Sequence, residues 1–80
     1  MKLLLFVTES SVADTTVDAL VEHGFRVTRL ASTGGFLRKG NTTMFVGVED
    51  FAVDRAIQVV QQTAPGALAV TLDLDRYERL

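Results

Sequence analysis

The 80-residue sequence predicts an α+β domain in which two helices cover one face of a four-stranded antiparallel sheet. Three observations predict it. Apolar runs of strand length and two segments of helical periodicity follow one another in the order strand, helix, strand, strand, helix, strand. Each helical segment meets a stop signal, Gly24 after the first and Pro65-Gly66 after the second. Right-handed crossovers then put both helices on the same side of the sheet.

The first strand, Lys2 to Val7 (KLLLFV), is apolar on both faces and is therefore expected to be covered on both. Ser10 or Ser11 is placed to cap the first helix, with Asp14 three positions after Ser11 in capping-box-like spacing. Val12, Ala13, Val17, Leu20 and Val21 recur at helical intervals, while Asp14, Asp18 and Glu22 point away from them. Phe25 to Ala31 (FRVTRLA) and Asn41 to Val48 (NTTMFVGV) are rich in strand formers. Asp50 is expected to cap a second helix whose Val53, Ala56, Ile57 and Val60 share a face. Ala67 to Leu74 (ALAVTLDL) alternates, with Leu68, Val70, Leu72 and Leu74 on one side. Residues 1–80 thus read as a single domain of ferredoxin-like βαββαβ order with a short charged tail.

Composition says what the free face of the sheet should do. The chain is 48% hydrophobic with mean hydropathy +0.25, although a domain of this size buries only about 60% of the surface its unfolded chain exposes. The surplus is best covered by other copies of the same chain, so a closed homo-oligomer is expected.

The absence of cysteine excludes a disulfide framework and thiolate metal sites, and fits a reducing, cytoplasmic setting. Leu3 to Val7 is far too short to span a bilayer, so no membrane insertion is expected. A net charge of −2 and pI of about 5.1 argue against a nucleic-acid polymer as partner, since such binding comes mainly from neutralising phosphates. The charge is unevenly spread. Between Phe25 and Thr43 lie Arg26, Arg29, Arg38 and Lys39, four of the eight cationic residues, and none of the ten acids. A local positive field of that kind concentrates a small anion.

Catalytic signals are weak. His23, the one histidine, stands beside Gly24 at a helix end, where donation to a free carbonyl explains it. Asp14, Asp18 and Glu22 form a ladder on a solvated helix face rather than an acid-base pair. Metal-ligand spacing is missing. Neither an enzyme nor a cofactor or metal is expected.

The loop between the second and third strands carries the binding signal. Gly34 and Gly35 give backbone freedom and let a ligand approach main-chain N–H groups. Phe36 follows as a plate for base stacking. Arg26 and Thr28 share a strand face, Asn41 opens the next strand with an amide able to read an adenine edge, and Gly47 interrupts a strand as if something approaches it closely. A plain hairpin, with Phe36 tucked under the sheet and Arg38-Lys39 serving solubility, explains the same letters.

The stretch GFRVTRLASTGGFLRKGNTTMFVGVED, residues 24–50, resembles the central motif of the PII-like cyclic di-AMP receptors, which are small trimeric signalling proteins. The opening MKLLLFV agrees with that family at the same distance, and the end ALAVTLDLDRYERL agrees more weakly. The resemblance implies a ferredoxin-like PII-like homotrimer with cyclic di-AMP in each cleft between subunits, reporting to a protein partner. It implies a pocket made by Arg26, Thr28, Gly35, Phe36, Leu37, Asn41 and the Gly47 backbone, and all of these are present. One departure stands out: the family's long insertion before the last strand is absent, Thr63 to Gly66 being nearly the whole connection, and Val70 stands where an aromatic is expected. That leaves as alternatives a PII-like trimer with another nucleotide or none. An RRM-like RNA binder shares the element order, but the acidic pI and the apolar strands speak against it.

Overall fold

The computed structural model describes residues 1–30, 40–76, 78 and 80. Its elements are β1 (Lys2–Glu9), α1 (Ser10–Glu22), β2 (Val27–Leu30), β3 (Asn41–Val48), a 3-10 turn (Asp50–Ala52), α2 (Val53–Thr63) and β4 (Leu68–Asp73). The four strands form one antiparallel sheet in the order β2-β3-β1-β4. This is the ferredoxin-like arrangement the element order predicts.

Register sorts the side chains between two faces. Leu4 stands opposite Val46, and Phe6 opposite Met44, which fixes the even-numbered residues of β1 and β3 on one side. That side is the core, where Leu4, Phe6, Met44 and Val46 are fully buried together with Ala13 and Leu20 of α1 and Ala56 of α2. Each large side chain so buried stabilises the fold by about 1.5–3 kcal/mol. The two helices also pack on each other.

The odd-numbered residues form the open face. Leu3, Leu5 and Val7 are half-buried there, while Leu68 and Leu72 of β4, opposite Val7 and Leu3, are 58% and 48% exposed. All of β4 is exposed, as befits an edge strand. The chain's own helices leave this apolar surface uncovered, as its two-sided strands imply.

Two turns follow sequence rules closely. At the end of α1, Gly24 has φ of +87°, its N–H donates to Val21 O at 2.9 Å, and Phe25 N–H reaches Leu20 O at 3.0 Å. Those paired bonds are a Schellman cap, which needs the left-handed backbone that glycine adopts without strain. After α2, Pro65 and Gly66 occupy the centre of a turn closed by Ala67 N–H to Ala64 O at 3.0 Å, with Gly66 at φ +88°. His23 ends α1 as expected, its Nδ1 donating to Ala19 O at 2.8 Å.

The capping expectations fail. No side chain caps α1, whose N-cap is Glu9. Ser10 Oγ instead meets Thr42 Oγ1 at 2.8 Å on β3, and Asp14 pairs with Arg29 of β2 at 2.6 Å. Asp50 does not cap α2; it begins the 3-10 turn and holds the Met1 ammonium at 2.9 Å. In each case a partner from another element outcompetes the local backbone N–H groups. Val21 is 57% exposed rather than buried. Thr16, which the apolar stripe did not include, is fully buried, its hydroxyl satisfied by Val12 O at 3.0 Å. Strand limits also shift: β1 runs on to Glu9, β2 starts at Val27 rather than Phe25, and β4 spans Leu68–Asp73 rather than Ala67 to Leu74.

Candidate functional site

Three of the residues singled out in the sequence come together. Thr28 stands opposite Phe45 across the β2–β3 ladder, on the open face, because its neighbour Val27 is opposite the core residue Val46. Arg26 lies just before β2, where the Schellman cap releases the chain, and shares Thr28's side by alternation. Gly47 follows two residues after Phe45 on the same side of β3. Arg26, Thr28 and Gly47 line one hollow of about 720 Å³, with Leu3, Phe45 and Phe51.

Nothing among the described residues requires glycine at position 47. Its φ lies outside the left-handed region, and a Cβ built there would meet only Met1 Cε, at 3.6 Å, an ordinary contact with a flexible side chain. The space above it is open to an incoming group.

Asn41 falls elsewhere. It begins β3 opposite Glu9 and lines a second hollow, of about 790 Å³, with Thr43, Leu30, Pro65 and Leu68. Six residues of strand separate it from Gly47, about 20 Å. Phe45 borders both hollows. In the second one, Thr43 is 2% exposed and its Oγ1 has no hydrogen-bond partner among the described residues, an unusual state for a buried hydroxyl. Gly34, Gly35, Phe36 and Leu37 lie outside the described residues, as do Arg38 and Lys39.

The electrostatics are narrower than the sequence count implies. Arg29 stands opposite Met44 and therefore faces the helices, where Asp14 neutralises it. Arg26 is exposed and, among the described residues, makes no ion pair. Glu49 also lines its hollow. Around the margin, the Met1 ammonium beside Asp50 holds that carboxyl below the usual range, by hydrogen bond first and charge second. Across the sheet, Lys2 is raised by its hydrogen bond to Asp73 and by that carboxylate's charge.

Sequence reasoning missed Phe51. Its signal was present: in EDFAVD it precedes the helical stripe of Val53, Ala56, Ile57 and Val60 without sharing its spacing, so a core role did not account for it. Among the described residues no group of His, Cys, Asp or Glu is arranged to hold a metal ion. No described helix is long and apolar enough to cross a membrane.

Comparison with known proteins bears on the fold and the family. A crystal structure of a functionally unknown protein from Pediococcus pentosaceus ATCC 25745 is similar, with a TM-score of 0.84 and 26% sequence identity over 99% of this chain and 96% of that one. The family model described as cyclic-di-AMP receptor matches residues 1–73. With nearly the whole βαββαβ unit inside that match, the chain belongs to the cyclic-di-AMP receptor family.

Proposed function

We propose that this chain is a nucleotide sensor rather than an enzyme, acting in the cytoplasm as a homotrimer that binds cyclic di-AMP between protomers and reports it to a protein partner. The observation that carries the proposal is the gathering of Arg26, Thr28 and Gly47 around one hollow at the margin of an uncovered apolar sheet face. A neighbouring protomer docked on that face would turn an open hollow into a cleft, and a cleft is what small ligands need.

Each residue then has a physical task. Arg26 supplies the charge for a phosphate or a base edge. Thr28 and Asn41 read base edges. Gly34 and Gly35 bring backbone N–H groups to the ligand, Phe36 stacks on a base, and Leu37 packs beside it. Gly47 leaves room for close approach. Asn41 and Gly47 stand about 20 Å apart on one strand, so a ligand served by both is extended or completed by a second protomer. A dinucleotide with two bases suits that spacing better than a mononucleotide.

The short turn at Pro65-Gly66 favours a second reading, in which the same assembly takes a different nucleotide or none, because little chain is present there to fold over a ligand. Isothermal titration with cyclic di-AMP, cyclic di-GMP, ATP and AMP separates the two. Saturable binding of cyclic di-AMP, weakened in Arg26→Ala and in Phe36→Ala while assembly persists, is expected. Silence toward all four leaves a scaffold.

A further inference from the structure

The hollow beside Arg26 has a wall that no strand supplies. Phe51, in the 3-10 turn before α2, is 89% exposed yet lines the same hollow as Arg26, Thr28 and Gly47. Single exposed apolar side chains are common on protein surfaces, so exposure alone carries little. The setting of this one carries more.

Among the described residues Phe51 has no structural task. A hydrophobic staple would pack it against the following helical turn and cover it, which its exposure excludes. The inward residues of α2 are Ala56, Val59 and Val60, and the 3-10 turn sets Phe51 off from them. The turn that bears the ring is nonetheless tied down. Ala52 N–H donates to Glu49 O at 2.9 Å, and Asp50 is held by the Met1 ammonium at 2.9 Å.

The facing wall leaves room for close approach: a Cβ at Gly47 would meet only Met1 Cε, whereas Gly24 is set by the Schellman cap. Bare backbone at Gly47, a guanidinium and a phenyl ring together suit a planar aromatic group that carries negative charge. Glu49, the carboxylate among the described lining residues, is two positions from Phe51 and repels phosphate from that end. The phosphate is thereby left to Arg26 and the base to the ring.

We propose that Phe51 is a ligand-contacting residue that stacks on one purine of the bound nucleotide and contributes to selection for a base over a bare phosphate. The proposal rests on the nucleotide-binding function proposed above and adds a wall to that site. The test uses the full chain and cyclic di-AMP. Because the ring is exposed, Phe51→Ala should fold as the parent does, and because the sequence has no tryptophan, Phe51→Trp gives a single reporter at the site.

Phe51→Ala is expected to weaken binding about tenfold, with the assembly mass unchanged, and the Phe51→Trp emission is expected to be quenched as ligand is added. Equal affinities for parent and Phe51→Ala overturn the Phe51 assignment alone. A fall in assembly mass for Phe51→Ala overturns it too, by making the ring a contact between copies. If the parent itself fails to bind, the nucleotide-binding function is refuted and the Phe51 role with it.

Discussion

Replacing Gly47 by alanine separates a ligand role from a structural one. Glycine inside a strand costs about 0.5–1 kcal/mol relative to alanine, because it loses more backbone freedom on folding. At this position nothing among the described residues demands glycine: φ is not left-handed, and the added methyl meets only the end of Met1 at 3.6 Å. Gly47→Ala should therefore stabilise the protein by about 0.5–1 kcal/mol, or raise Tm by about 2–8 °C for a domain of this size. The same methyl points into the hollow with Arg26 and Thr28, so it should reduce nucleotide affinity. Thermal melts and titration of one protein preparation measure both. A lower Tm would show that the glycine serves the fold, and unchanged affinity would show that nothing approaches it; either result refutes the reasoning.

Other expected outcomes bear on the same surfaces. Thr43→Val removes a buried hydroxyl that has no partner among the described residues and should stabilise the ligand-free protein by about 1 kcal/mol in denaturant melts. Leu68→Lys alters a residue 58% exposed in the single chain, so a lone protomer should tolerate it within about 0.5 kcal/mol, while light scattering should show the assembly falling toward the mass of one chain. The pH dependence has two arms. Lys2 has its pKa raised by Asp73, so its contribution is complete below the unfolded lysine value, about 10.4, and fades as pH climbs through the higher folded value. Asp50 has its pKa lowered by the Met1 ammonium, so its contribution is complete above the unfolded value, about 3.9, and fades as pH falls through the lower folded one. Melts of Asp73→Asn should flatten the alkaline arm, and melts of Asp50→Asn the acidic arm.

The parts of the fold set by local chemistry were readable from the letters. NTTMFVGV is a strand over the predicted residues, Gly24 stops α1 through a left-handed cap, and Pro65-Gly66 makes the turn it spells. The open apolar face was equally legible, because LLL on one strand and alternate leucines on another cannot all face two helices. What failed was capping. Ser10, Asp14 and Asp50 each find a partner from another element, Thr42, Arg29 and the Met1 ammonium, and a local rule has no knowledge of those. For the same reason the cationic segment looked stronger than it is, since only the register shows that Arg29 faces Asp14.

The candidate residues could be picked out by type, but their layout could not. Alternation grouped Arg26 with Thr28, and Gly47 stood out separately as a glycine inside a strand; all three line one hollow. Asn41 belongs to the other end of β3, a separation that follows from strand geometry once the register is known. Phe51 escaped notice because it stands beyond the loop that drew attention, and only folding returns it to Arg26.

Native mass spectrometry of the chain with cyclic di-AMP tests the shared-cleft function most directly. A species of three chains, about three times the 8.7 kDa of one, carrying up to three nucleotides is the expected result. Single chains without nucleotide would contradict it.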